Sequence, residues 1–388
     1  MKNLLFGLIG LLLLAVSIQS CGDDIAETYK DYTDEEYAII SKRLNLPSEV
    51  LEYSSSFDEE FFINHLGEED IRSRRSDHKA TLGRVLFYDK KLSINESISC
   101  ASCHKQDLAF ADDVAFSEGF DGKVTKRNSL SLGNTIGFET AYGGGGGRAL
   151  FSWDESNEDI ASQSKAAIIS EIEMGMDMAT VIERIEKDEA YPILFNKVYG
   201  DSKILEHRVL ESIEEFVNSI VSSESKFDEQ SMKHNGDIFS NFEGYTKEEN
   251  VGKEIYILNC ATCHSFDHMF TSKALANNGL DMEYADKGVG GRTNQALQNG
   301  VFKVPFLRNI ELTAPYMHDG RFVNLREVID HYSEGIANHP NLDVELKNGN
   351  LAKRMNFTEE QKEGLEAYLK TLTDEKLKAD IRFSDPFK

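Results

Sequence analysis

Apolar residues recur at helical spacing through three stretches, Ile168 to Ile185, Ile204 to Val221 and Phe357 to Leu372, whereas the strict alternation of a half-buried strand is scarce. The pattern predicts a mainly α-helical protein. A shorter periodic stretch around Tyr37 to Leu51 lies within an acidic, mixed segment, residues 21–76, which reads as a tether carrying a small helical element. The glycine run Gly143 to Gly147 reads as a flexible break, or as a mobile gate over whatever site lies beside it. At the start of the chain, Leu4 to Ile18 form a continuous apolar stretch between Lys2 and Ser20. It is too short for a comfortable membrane span and has the layout of a targeting segment, residues 1–20.

Cys21, Gly22, Asp23 and Asp24 follow at once and resemble the processing site of bacterial lipoproteins, in which the cysteine is acylated. Plain secretion with cleavage nearby is the alternative. Both readings place the mature protein outside the cytoplasm, in the periplasm or cell envelope; under the first, an acyl chain on Cys21 is the one membrane attachment. Composition narrows the partners. With 42 Lys plus Arg against 67 Asp plus Glu the formal charge is −25, which argues against nucleic acid or an anionic lipid surface. A charged redox partner would instead be met through complementary positive charge. The length of 388 residues and a hydrophobic fraction of 40% allow two or three domains with real cores.

The candidate chemistry lies in the cysteines. Of the 5 present, the four beyond Cys21 form Cys100-Ala101-Ser102-Cys103-His104 and Cys260-Ala261-Thr262-Cys263-His264. This is the pattern of c-type haem attachment: two thiols on one helical turn can bond both vinyl groups of a porphyrin, and the next residue presents its imidazole to the iron. A zinc ribbon would bring its two pairs much closer in sequence, and a thioredoxin-like pair would not explain two motifs with His in the same place. Two covalent haem c groups in two lobes are expected, a first haem domain at 77–235 and a second at 236–388 including a C-terminal tail. Each should be a cytochrome c-like helical unit.

Further motifs carry a resemblance. Leu82-Gly83-Arg84-Val85-Leu86-Phe87-Tyr88-Asp89, Phe302-Lys303-Val304-Pro305-Phe306-Leu307-Arg308-Asn309 and Ala314-Pro315-Tyr316-Met317-His318-Asp319-Gly320 look like the bacterial di-haem cytochrome c peroxidase family, which includes the MauG-like enzymes. The resemblance runs from about Leu82 to Tyr332. It implies a peroxide site at the first haem and electron entry at the second, with a tryptophan relay between them. The family's relay tryptophan, peroxidatic glutamine and glutamate match Trp153, Gln163 and Glu173, evenly spaced, and Trp153 is the single tryptophan of the chain. Glu173 would shuttle the proton from one peroxide oxygen to the other, and Gln163 would orient the peroxide. A solvated carboxylate at Glu173 and a packed aromatic at Trp153 are the plain structural readings of the same residues. Glu155-Ser156-Asn157 replaces the family's glycine-arginine-alanine, and Ala166-Ala167 its glycine-proline turn.

The resemblance also speaks to ligands. Where many members place a histidine that closes the first iron, this chain has Phe120, so an open sixth position is expected unless His65 or His78 enters from the N-terminal segment. On the second iron, opposite His264, the classical methionine position is Tyr332, as in the MauG-like branch; Met317 or another methionine is the alternative. His318 reads as a structural or supporting histidine, and His331 as pointing away from Tyr332. The inter-lobe calcium of the family would fall to Asn128, Thr313 and Pro315. The leading expectation is a peroxidase that reduces hydrogen peroxide with electrons from a small cytochrome c or cupredoxin, with a monomer and a homodimer both open. The rivals are a MauG-like oxidase of a partner protein and a non-catalytic electron carrier.

Overall fold

The computed structural model describes residues 31–53, 76–135, 150–266 and 271–388. The fold is mainly α-helical, and two antiparallel strand pairs, Leu275–Ala276 with Phe302–Lys303 and Lys347–Asn348 with Leu351–Ala352, make up the sheet content of the described residues. Two hydrophobic cores account for the two lobes, one around Phe87, Phe110, Leu194 and Phe216, the other around Phe227, Tyr256, Leu365 and Tyr368.

Each lobe is organised by one close helix crossing. In the first, Asp77–Tyr88 packs on Glu206–Ser219; a Cβ on Gly83 would stand 1.8 Å from the Ser212 carbonyl oxygen. In the second, Lys247–Asn259 packs on Glu359–Lys370, and a Cβ on Gly252 would stand 1.9 Å from the Gly364 carbonyl oxygen. Only a residue without a side chain allows backbones this near. Both helices of the second pair open with capping boxes, Thr246 with Glu249 and Thr358 with Gln361, which satisfy amide groups that the helix itself leaves free.

The periodic stretch from Ile168 to Ile185 is not one helix. Ile160–Ile169 ends there, a turn runs through Glu173, and a new helix begins at Met178 with Asp177 as its cap. Gly175 takes a left-handed φ of 66°, and the turn is closed by Met174 and Gly175 amides donating to the Ala167 and Ser170 carbonyls. Hydrophobic spacing alone carried the pattern across this break, because the turn's methionines continue the buried face.

Both ends of the described chain pack on the first lobe. Tyr32, Ile40, Leu44 and Tyr53 of the N-terminal segment lie in its core, as do Leu377 and Phe383 of the C-terminal tail. Arg84 Nε donates to the Ser384 carbonyl at 2.6 Å and Tyr88 to the Phe383 carbonyl at 2.6 Å. Among the described residues no helix is long and apolar enough to cross a membrane. The expected leader 1–20, Cys21, His65 and the Gly143–Gly147 run lie outside the described residues.

Candidate functional site: two haem-attachment turns and the seam between them

Cys100 and Cys103 bracket a single helical turn, and both thiols are free of disulfides. Burial pushes the Cys100 thiol up to about 12. His104 follows, with its Nδ1 2.8 Å from the Phe110 carbonyl oxygen and 3.3 Å from Ser129 Oγ. Ala109 and Phe110 aim that carbonyl by taking left-handed φ values of 51° and 61°. An Nδ1–H donated to a carbonyl fixes the tautomer in which Nε2 carries the lone pair, the form that binds a metal. Burial lowers the basicity of His104 and keeps it in that neutral form.

The second turn repeats the arrangement. Cys260 closes the Lys247–Asn259 helix, Cys263 and His264 lie on the next turn, and His264 Nδ1 is 3.0 Å from the Pro305 carbonyl oxygen. Burial lowers His264 to about 4 and raises Cys260 to about 12. Paired thiols with no disulfide beside a partly buried imidazole with one nitrogen tied back are the donor set that covalent haem requires, so both turns fit the group.

Glu173 sits on the turn after the Ile160–Ile169 helix, half-buried, its carboxyl raised by burial and within electrostatic reach of Cys100 and Cys103. Phe120 forms part of the same wall: its amide donates to the Glu173 carbonyl at 2.9 Å, and its ring covers Gly175, where a Cβ would meet it at 2.4 Å. Gln163 is held differently. Its carboxamide oxygen accepts from Asn157 Nδ2 at 2.6 Å and from Ser152 Oγ, which ties it to the segment around Trp153 rather than to Glu173. His78 is turned to Asp31, 3.4 Å from its carboxylate, with its ring edge-on to Tyr32.

Trp153 is buried between the lobes. Its indole N–H donates to the Asn128 carbonyl at 2.8 Å, and its ring packs with Tyr284 and Phe302 and lies edge-on to His318. His318 stacks on Phe302 at 3.8 Å between centroids. Asn128 reaches the same loop, its amide donating to the His318 carbonyl at 2.8 Å and its side-chain nitrogen to the Val114 carbonyl at 3.1 Å. Thr313 Oγ1 donates to the Ile310 carbonyl at 3.3 Å, and Pro315 follows a cis peptide bond. A cation here would be met by neutral oxygens: among the described residues no group of three His, Cys, Asp or Glu side chains gathers to hold a metal.

Tyr332 lies in a widened helical turn, His331–Gly335, partly buried against Ile336, Leu342 and Leu346; burial raises its hydroxyl to about 12, against a hydrogen bond with Asn278, and Cys260 and Cys263 are within electrostatic reach. Asn278 also donates to Met317 Sδ at 3.4 Å and accepts from His331 Nε2 through its carbonyl, 3.1 Å away. Sequence reasoning missed Asn278, which nothing in its neighbourhood signals, and the Phe110 and Pro305 carbonyls, because any residue supplies a carbonyl.

Helical lobes that each present a Cys-x-x-Cys-His turn, joined by an aromatic seam, define a two-lobe c-type cytochrome. A family model described as di-haem cytochrome c peroxidase matches residues 77–236. A crystal structure of a MauG-like protein associated with microbial copper homeostasis is similar at TM-score 0.68 and 31% identity, over 80% of this chain and 94% of that one. The methylamine utilization protein MauG of Methylorubrum extorquens is 29% identical, covering 76% of this chain and 78% of its own, and the cytochrome c551 peroxidase of Nitrosomonas europaea 27% identical, covering 76% and 79%. The chain therefore belongs to the bacterial di-haem cytochrome c peroxidase and MauG-like family. It is a di-haem redox enzyme of that superfamily; two covalent haem c groups are a family feature, and the periplasm or cell envelope is the family's usual place.

Proposed function

We propose that this protein is a MauG-like oxidase, which uses hydrogen peroxide to withdraw electrons from a partner protein. The observation that carries the reading is Tyr332, a partly buried tyrosine within electrostatic reach of the second attachment turn's thiols, at the position where the resemblance places methionine in the family's peroxidases. An anionic oxygen ligand lowers the potential of an iron relative to methionine and so favours its oxidised states. Phe120 supports the same reading, since it cannot close the first iron. The relatives named MauG and the MauG-like crystal structure point the same way.

A haem bound at each turn supplies the redox-active iron. Glu173, its carboxyl held above the ordinary range by burial, takes the proton of the near peroxide oxygen and returns it to the departing one. Gln163 orients its surroundings through Asn157 and Ser152. The two electrons and two further protons that complete reduction to two waters come from the partner side and from solvent, the electrons crossing the Trp153 seam. Asn128, Thr313 and Pro315 would hold calcium there and fix the seam. Cys21 would anchor the protein in the cell envelope by an acyl chain.

The second reading is the peroxidase, with a small cytochrome c or cupredoxin as donor; the likeness to a cytochrome c551 peroxidase favours it. Stopped-flow spectroscopy of the ferric protein with peroxide, with and without a reduced small cytochrome c, separates the two. Slow donor turnover with a persistent oxidised state supports the oxidase, and rapid sustained donor oxidation replaces it with the peroxidase. Absence of any reaction with peroxide would leave only an electron carrier.

A further inference from the structure

Three cations and three carboxylates meet where the lobes touch around Trp153. Arg127 pairs with Asp154 at 2.9 Å and with Asp286 at 2.6 Å, Arg292 Nε donates to the Asp154 carbonyl at 2.8 Å, and Lys303 Nζ donates to the Leu150 carbonyl at 2.7 Å with Glu155 Oε1 as its nearest charge at 3.9 Å. The last pair is the unexpected one. Glu155 occupies left-handed backbone, φ 55°, where glycine is at ease and an L side chain is strained. Its side chain is nevertheless only 11% exposed, and that of Lys303 3%. Burial pushes the Glu155 carboxyl up and the Lys303 ammonium down to about 8. Backbone strain and two desolvated ions are a poor way to gain stability, since a hydrophobic pair of similar volume does as well. The position of the pair indicates a different use. The Lys303 amide donates to the Trp153 carbonyl at 2.8 Å, and Glu155 is two residues beyond Trp153 in the chain.

We infer that Glu155 is the charge-balancing residue of the path between the lobes, its carboxylate offsetting the Lys303 ammonium beside the Trp153 indole so that Trp153 can transiently give up an electron. The inference rests on the reading of Trp153 as the relay. In the step, Trp153 gives one electron towards the first-lobe haem, whose oxidant is hydrogen peroxide, and takes one back from the second-lobe haem. No bond forms or breaks, and the indole N–H stays with the Asn128 carbonyl. At an effective dielectric constant of about 20, an unbalanced unit charge on the segments flanking a redox-active ring changes such an equilibrium on the order of tenfold or more.

The test uses the intact di-haem protein at neutral pH. Fully reduced protein is mixed with one equivalent of peroxide and oxidation of the second haem is followed by stopped flow; freeze-quench EPR of the ferric protein after peroxide reads the oxidised tryptophan. Glu155→Gln should slow second-haem oxidation about tenfold and diminish the tryptophan signal. The double variant Glu155→Gln with Lys303→Met restores the balance of charge and should return both readouts close to wild type, which no purely structural role would do, whatever the change in unfolding midpoint. A wild-type rate and signal in Glu155→Gln, or a defect that Lys303→Met leaves unrepaired, overturns the inference. Trp153→Phe keeps the two ideas apart: undiminished transfer there sinks the relay, whereas slow transfer there beside normal Glu155→Gln sinks only the role of Glu155.

Discussion

At the residue scale the proposed chemistry turns on Glu173 and Tyr332, and Lys303 adds a test of the seam. Glu173→Gln removes the proton shuttle without changing shape, and the rate of reaction with peroxide should fall by about 10²–10⁴-fold with the ferric spectrum unchanged. Because burial raises this carboxyl, the acidic limb of the wild-type rate profile should sit above the ordinary glutamate range and vanish in the variant. A pH series of single-turnover rates checks both. Tyr332→Phe should replace the second haem's six-coordinate ferric EPR signature by a high-spin one, while an unchanged spectrum would hand the ligand role to Met317. Lys303 gives a stability signature. Its folded value, about 8, lies below the ordinary 10.5, so between these values the unfolded chain binds the proton more tightly and stability rises with pH. Lys303→Met should lack that rise in denaturant titrations.

At the scale of elements, the haem-bearing turns are held by helix crossings that tolerate no side chain. Gly83→Ala and Gly252→Ala would each drive a methyl group into a facing backbone carbonyl, and a destabilisation of at least about 1–3 kcal/mol is expected for each. Calorimetry of the two variants should lower the unfolding temperature of the lobe that carries the substitution. The helices themselves were legible. The spacing at Ile204 to Val221 and Phe357 to Leu372 became Glu206–Ser219 and Glu359–Lys370, because one apolar stripe per helix must face a core. The break at Glu173 was not, because a left-handed Gly175 and the Gly119–Phe120 segment that packs on the turn belong to tertiary contacts.

For the whole molecule, the C-terminal tail ties the two ends of the described chain together on the first lobe. Phe383 packs edge-on to Phe110, whose carbonyl holds His104, and Gln106 Nε2 donates to the Leu377 and Asp380 carbonyls at 3.0 and 2.9 Å. Deleting residues 377–388 removes Leu377 and Phe383 from that core, and by analogy with large-to-small core changes this should cost several kcal/mol, about 3–5 for the phenylalanine alone. Hydrogen exchange should then rise through Asp77–Tyr88 and around His104, with the Lys247–Asn259 and Glu359–Lys370 pair protected as before.

The sequence by itself determined the helical class, the two attachment turns and the residues set beside them, since covalent attachment demands Cys-x-x-Cys-His and a buried helix face demands periodic apolar residues. It pointed also to Trp153, Glu173 and Tyr332 through a family resemblance. Tertiary structure alone decided the rest: which carbonyls orient the two histidines, that Phe120 closes over Gly175, and that Glu155 meets Lys303 across the seam. These are contacts between residues far apart in the chain, or made by backbone groups common to every residue, and neither leaves a local pattern to read.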